Sequence, residues 1–488
     1  MRLKHPITIL LILCSLLSKA QLYDAQWAIG YDESAVDFRI ADTVKIDTLP
    51  TLQYFFLTNA SICDEAGKLL YYTNGVGICG INDTLLNGNN LSRGIYSSND
   101  SLDGLPIAQG AIFIPKPGST RYYYLFHSAN DTLQYTRPGH IYYSLIDKEA
   151  NNGLGAVIEK DVPIISRHIL REGGITACKH ANGRDYWLVF GASGTNKFYK
   201  FLITPDSIIG PFTQDIGPNY PLPADNAYSK FSQDGSKYAT GAISGLVLVM
   251  DFDRCNGEFT NPVTIFNNSS TNPDTSISCS VSVEFSPNNR FIYVSDNRYM
   301  TQYDLLSTNI QDSLKLFLED SATWYGIRFL QIAPNGKIYG STWNGGLYAL
   351  HVINSPDLKG DSADFVYGGQ PTLTVASYNL PNLINYKLGA LFGNGCDTIT
   401  TGLTAQTAND PLRIQPNPAN KYAYVEMGMQ GNYIFQLLDA TGKLLSQKQT
   451  PQIDIFDTEQ LPNGIYFISV KDRSSNAEIA NRRVVVAH

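Results

Sequence analysis

Ser280-Val-Ser-Val-Glu-Phe-Ser-Pro-Asn-Asn-Arg-Phe-Ile-Tyr-Val-Ser-Asp296 is the stretch on which the reading of the fold turns. Val281, Val283 and Phe285 alternate with polar residues, Pro287-Asn288-Asn289 supplies a turn, and Phe291 to Val294 return as a β-branched and aromatic strand. The segment therefore reads as a β-hairpin. A single hairpin cannot bury its apolar face in water, so it needs neighbours. The pattern recurs at Asp64-Glu-Ala-Gly-Lys68, Lys116-Pro-Gly-Ser119, His180-Ala-Asn-Gly-Arg184, Ser232-Gln-Asp-Gly-Ser236 and Ala333-Pro-Asn-Gly-Lys337, each ahead of a Tyr-, Phe-, Val- or Leu-rich run. Turn centres at Gly67, Gly118, Gly183, Gly235, Asn289 and Gly336 are 51, 65, 52, 54 and 47 residues apart. A period of about 50 in a strand-only pattern predicts the blades of a β-propeller.

Six hairpins are explicit. A seventh blade is expected from strand material at Val375 to Phe392 pairing with the first strands between Trp27 and Asp47, because a ring needs its ends joined to leave no open edge. Seven blades follow, with six and eight as the neighbouring counts. No helix-period segment of useful length interrupts the pattern after the first twenty residues.

Outward from the ring, the chain opens with Arg2, Lys4 and His5, an apolar run from Ile7 to Leu17, and Ser18-Lys19-Ala20. A charged head, a stretch too short to span a bilayer and a small-residue site describe a secretory signal peptide over 1–20. No later stretch reads as a transmembrane anchor. Loss of Arg2, Lys4 and Lys19 takes the formal charge from −8 to −11. An acidic chain argues against nucleic acid as a partner. Removing Cys14 leaves six of the seven cysteines. In an oxidising compartment that even number predicts disulfides. Cys63 with Cys79, either side of one hairpin, and Cys255 with Cys279, flanking one excursion between blades, are the expected pairs; Cys178 and Cys396 read equally well as paired or as free buried thiols.

Residues 21–396 are thus assigned to the propeller. The Thr- and Ala-rich stretch 397–410 reads as a linker. Beyond it, 411–488 carries short strands at Tyr422-Ala-Tyr-Val, Tyr433 to Leu438, Ile453 to Ile455, Ile465 to Val470 and Arg483 to Val486, the spacing of a small immunoglobulin-like β-sandwich.

Three motifs in this last piece carry a resemblance. Pro416-Asn-Pro-Ala419, Asp439-Ala-Thr-Gly-Lys-Leu-Leu445 and Leu461-Pro-Asn-Gly-Ile-Tyr-Phe-Ile-Ser-Val470 resemble, in order, the type A C-terminal sorting domain of type IX secretion cargo. The resemblance implies export by the type IX machinery through the periplasm to the surface of a Gram-negative bacterium, or release beyond it. It marks Pro416, Asn417, Pro418, Gly442, Gly464 and Tyr466; the two glycines suit turns where a side chain is unwelcome, and the prolines stiffen the entry. Trp27-Ala-Ile-Gly-Tyr-Asp32, Gly67 to Gly75, Ile114-Pro-Lys-Pro-Gly118, Lys179 to Trp187 and Asp251 to Gly257 are similar to propeller regions of surface proteins associated with gliding bacteria, which implies a fold and no activity.

Catalytic signals are sparse. Gly75-Val-Gly-Ile-Cys-Gly80 fits G-x-G-x-x-G but opens no helix and reads as a turn. Asp251-Phe-Asp-Arg-Cys-Asn-Gly257 departs from a calcium loop, with Cys255 at a ligand position. His180 and Asp185 bracket one turn and are expected to face each other across it. Trp187, Trp324 and Trp343 suit packing between blades, with stacking on sugars as the alternative. No catalytic residue, cofactor or metal site is assigned. Two functions remain: a secreted or surface-displayed binding or scaffold module for an extracellular protein or glycan, and a glycan-active hydrolase or lyase whose carboxylates the ring brings together.

Overall fold

The computed structural model describes residues 21–30, 34–40, 43–49, 53–80, 85–91, 104–129, 139–166, 170–219, 227–242, 245–266, 282–295, 299–311, 313–318, 326–342, 346–375, 379–391, 393, 396, 412–415, 417–427, 431–439, 442–474 and 478–487. The expected signal peptide and linker lie outside them, as do Cys279, Trp324, Trp343 and Pro416. The chain divides into two compact units, Met1–Thr398 and Ile399–His488. Helix among the described residues is limited to one turn at Ala150–Gly153 and a 3-10 turn at Gly360–Ala363. None is long and apolar enough to cross a membrane.

The hairpin at the centre of the sequence reading forms as β19 (Ser282–Phe285) and β20 (Phe291–Ser295), with Val283 opposite Val294 and Phe285 opposite Ile292. Its turn closes through Asn289 N–H to Ser286 O at 2.9 Å, and Asn289 sits at φ 61°. Gly67, Gly183, Gly235 and Gly336 occupy the same turn position with φ between 72° and 85°. That left-handed conformation selects glycine or asparagine, which is why the repeat is visible as Asn-Gly, Asp-Gly and Asn-Asn.

Among the described residues, the first unit contains seven antiparallel meanders. The first comprises β1 (Gln26–Ile29), β2 (Ser34–Asp37) and β3 (Lys45–Thr48); the second β4 (Ala60–Cys63), β5 (Leu69–Thr73) and β6 (Ile78–Gly80). Five four-stranded sheets follow: β7–β10 from Ala111 to Ser166, β11–β14 from Thr176 to Asp215, β15–β18 from Ala227 to Phe266, β19–β22 from Ser282 to Leu318, and β23–β26 from Ile327 to Pro371. The first strand of one sheet touches that of the next from β1 to β4 to β7, and from β11 to β15 to β19 to β23. The seventh sheet packs back on the first: Tyr339 of β24 (Ile338–Thr342) meets Trp27 and Phe38 edge to face, with ring centroids 5.8 and 5.4 Å apart. Such contacts add roughly 0.5–1.5 kcal/mol each to the area they bury. The architecture is all-β and propeller-like.

Closure differs from the expectation. The Trp27 to Asp47 strands form a sheet of their own, and no described residue between Thr372 and Leu391 is in a strand. Residues 379–391 instead run as a strap across the inner strands. Asn379 donates to Leu57 O, and Asn382 Nδ2 to both Ala111 O (3.0 Å) and Ile175 O (2.8 Å). Asn385 Nδ2 donates to Gln233 O at 2.7 Å and Tyr386 hydroxyl to Phe113 O at 2.9 Å. Leu380, Leu383 and Tyr386 are buried in the same core as Ile112, Phe113 and Ala177. Carbonyls left unpaired on the axial side must find donors, and the strap supplies them.

The second unit contains two sheets around one core. β27 (Leu412–Gln415), β28 (Tyr422–Met427) and β31 (Ile453–Asp457) form one; β30 (Leu444–Thr450), β29 (Tyr433–Leu438), β32 (Gly464–Asp472) and β33 (Glu478–Val486) form the other. Val425, Phe435, Ile468 and Val484 are wholly buried between them.

Candidate functional site

The repeat register itself generates a site. Five residues before the turn centres at 183, 235, 289 and 336 stand Cys178, Lys230, Glu284 and Gln331. All four line one pocket of about 250 Å³, closed by Leu383, Ile384 and Asn385 of the strap. Ligand pockets usually span about 300–1,000 Å³, so this one suits a small polar group.

Lys230 and Glu284 are both buried, and their charged ends are 3.6 Å apart. Glu284 also accepts the N–H groups of Phe285 and Ile332, each at 3.0 Å, while Lys230 donates to Gln331 Oε1. Burial pushes the Glu284 carboxyl up and the Lys230 ammonium down, and the attraction of the pair opposes both shifts. A second pair stands at the rim, with Lys387 Nζ 3.7 Å from Asp24 Oδ1. Burial raises the Asp24 carboxyl against the pull of Lys387, and its Oδ1 has no hydrogen-bond partner. Each carboxylate in the pocket thus has its own lysine, and the remaining polar lining includes Thr176, Ser232, Gln233, Gln331 and Asn385.

Apart from Cys178, considered there only as a thiol, none of these residues was singled out from the sequence, although their common offset from the turns was a usable signal. The expected cysteine pairs are corrected. Cys63 and Cys79 lie on β4 and β6, which flank β5, so two strand spacings of about 4.8 Å separate them. A disulfide needs Cα atoms within about 7 Å, and the two are not bonded to each other. Cys255 pairs with Cys396 rather than Cys279, tying the end of the first unit to the turn after β17 (Leu246–Asp253). His180 and Asp185 face each other across the turn through the backbone, His180 N–H donating to Asp185 O at 2.8 Å, but their side chains part: His180 Nε2 lies 2.9 Å from Cys255 O, and the Asp185 carboxylate bonds Asn182 and Arg184. Trp187 is buried and donates to Arg254 O at 2.9 Å, packing between sheets as expected. Asp251 and Asp253 are spent on Lys237, Asn261, Cys255 and Asn256.

In the second unit, Asn417 bridges to β33 through Nδ2 to Arg483 O (3.1 Å) and Val485 N–H to Oδ1 (2.9 Å). Pro418 follows it directly. Gly442 holds φ 84° in a turn closed on Asp439 O. Gly464 differs from the expectation of a crowded turn: it opens β32, and an added Cβ meets its nearest atom at 3.9 Å. Tyr466 is buried and donates to Pro462 O at 2.9 Å.

Residues 413–486 match the secretion system C-terminal sorting domain. Such a tail implies export by the type IX route. No curated protein matches the chain. Among solved structures, the periplasmic gluconolactonase of Pseudomonas aeruginosa is similar at 12% identity and TM-score 0.42, over 73% of this chain and 98% of that one. A putative 6-phosphogluconolactonase from Bacteroides fragilis shares 12% identity at TM-score 0.44, over 73% and 97%. The Cps50 (Swd1) β-propeller domain of Myceliophteria thermophila shares 9% at TM-score 0.33, over 66% and 94%. Likeness of this degree transfers no activity.

Proposed function

We propose that the chain is type IX cargo whose residues 21–396 form a seven-bladed propeller acting as a binding or scaffold module. In this reading 1–20 is a cleaved signal peptide, 397–410 a linker, and 411–488 an immunoglobulin-like sorting domain. The module is delivered to the cell surface or released, and takes an extracellular protein or glycan group in the axial pocket. The observation that carries the reading is the state of the axial acid: Glu284 is held by two N–H groups and an ammonium, which leaves it poorly free to exchange a proton with a substrate.

The test is a binding and turnover screen of the exported protein against polysaccharides and surface proteins, repeated with Gln331→Leu. Saturable binding weakened by Q331L, without substrate consumption, supports the module. Truncation before Leu412 is expected to hold the ring in the periplasm. One observation favours the hydrolase or lyase instead: burial raises the Asp24 carboxyl, and its Oδ1 faces the Lys387 ammonium at 3.7 Å without a hydrogen bond, the properties of a proton donor. Turnover abolished by Asp24→Asn overturns the binding reading.

A further inference from the structure

A second cleft of about 280 Å³ lies beside the axial pocket, between the turn after β7 (Ala111–Pro115) and the end of β11 (Thr176–Lys179). Lys116, Lys179 and Arg184 line it, and no carboxylate does. Arg184 is already engaged with Asp185, at 2.7 and 3.1 Å. The two lysines are not. Lys179 is only 7% exposed; among the described residues its ammonium makes one hydrogen bond, at 3.4 Å to Gln21 Oε1, and lies over the Tyr186 ring. Lys116 lies 5.6 and 5.9 Å from the ring centres of Tyr122 and Tyr124. Among the described residues neither ammonium has a carboxylate in ion-pair reach, whereas Lys230 and Lys387 in the axial pocket each have one.

An ammonium kept out of water without a counter-charge is unfavourable unless something completes it. Burial first, and then the nearby Arg254 guanidinium, lower Lys179 to about 8. In a chain of formal charge −8, this local excess of positive charge is the opposite of the average surface. We propose that the cleft is an oxyanion site for the carboxylate or sulfate of an acidic sugar. Lys179 and Lys116 contact the anion from two neighbouring sheets, and the Ser119 and Thr120 hydroxyls serve the sugar ring. The volume exceeds what a bare anion requires. The site is separate from the axial pocket, so it stands or falls independently of the module's other ligand.

Isothermal titration of the full exported chain with glucuronate, glucose and inorganic sulfate at low salt decides it. Glucuronate is expected to bind saturably and glucose not. Lys179→Met and Lys116→Met should each weaken binding by about tenfold or more, the worth of one charge-assisted hydrogen bond. Lys179→Arg should retain it, and affinity should fall as pH rises past about 8, as the Lys179 amine, lowered by burial and Arg254, loses its proton. Lys179→Arg should lose this pH dependence except for the share of the α-amine that cleavage leaves on Gln21. Lys116, Arg184, Tyr23 and Tyr186 are the other charged or titratable groups lining the cleft. Should Lys179→Met fail to fold, Lys116→Met on its half-buried turn carries the test. Absence of saturable binding by glucuronate and sulfate, or binding unchanged in both variants, overturns the site. Sulfate binding as tightly as glucuronate overturns the sugar assignment. Retention of glucuronate binding by Gln331→Leu keeps this result distinct from the axial reading.

Discussion

A single buried ion pair shows how much rests on individual side chains. Lys230 and Glu284 are 3% and 1% exposed, so each depends on the other for its charge. Replacing Lys230 with Met strands a carboxylate and should cost about 3–5 kcal/mol, while the double change Lys230→Met with Glu284→Leu should recover most of that loss. Guanidinium unfolding followed by tryptophan fluorescence reads this cleanly, because all four tryptophans lie in the first unit. Equal stability of the single and double variants would contradict the coupling. The surface pairs behave differently. Arg121 with Asp147 and Arg290 with Asp304 repeat the same link from turn to third strand, at 2.6 and 2.8 Å, yet the arginines are over 40% exposed. They mark register and contribute little stability. Hydrogen bonds from these arginines hold both carboxyls below the usual aspartate range. Whatever they contribute is present above about pH 4, and is lost as pH falls below it.

At the scale of elements, the strap is the part expected as strand material and found outside any strand. Asn379-Leu-Pro-Asn-Leu-Ile-Asn385 is apolar enough to suggest a strand, but its asparagines recur every third residue, a spacing that suits an extended chain and not a pleat. The asparagine side chains donate to carbonyls in or beside the first strands of four different sheets. Asn382 serves Ala111 and Ile175 while accepting from Gln109 at 3.1 Å, all in the interior. Asn382→Ala should therefore destabilise the ring by about 3 kcal/mol, from two or three buried groups left without partners. Asn382→Asp, which cannot donate, should do no better. A melting temperature unchanged in both variants would mean that the strap is not needed for closure. Packing enforces the same placement: a Cβ on Gly183 would stand 2.5 Å from Ala390 N, so the strap and this turn require glycine there.

For the whole molecule, the chain closes its ring through side chains at one end and a covalent link at the other. Trp27 and Phe38 meet Tyr339, and Cys255 joins Cys396 across 141 residues. Loop-closure entropy for a cross-link of that length amounts to at most about 5 kcal/mol. Reductant should lower the unfolding midpoint of the protein and leave that of Cys396→Ser unchanged; equal sensitivity of both would exclude the bridge as the cause. The sequence by itself determined the hairpins, their period and the sorting tail, because turn geometry and strand alternation are local and each is written in a few adjacent residues. The axial pocket, the oxyanion cleft, the strap and the cysteine partner were decided only in three dimensions. They depend on which residues of separate sheets meet, and ion pairing, desolvation and unpaired carbonyls act there between groups that are 54 to 322 positions apart in the chain.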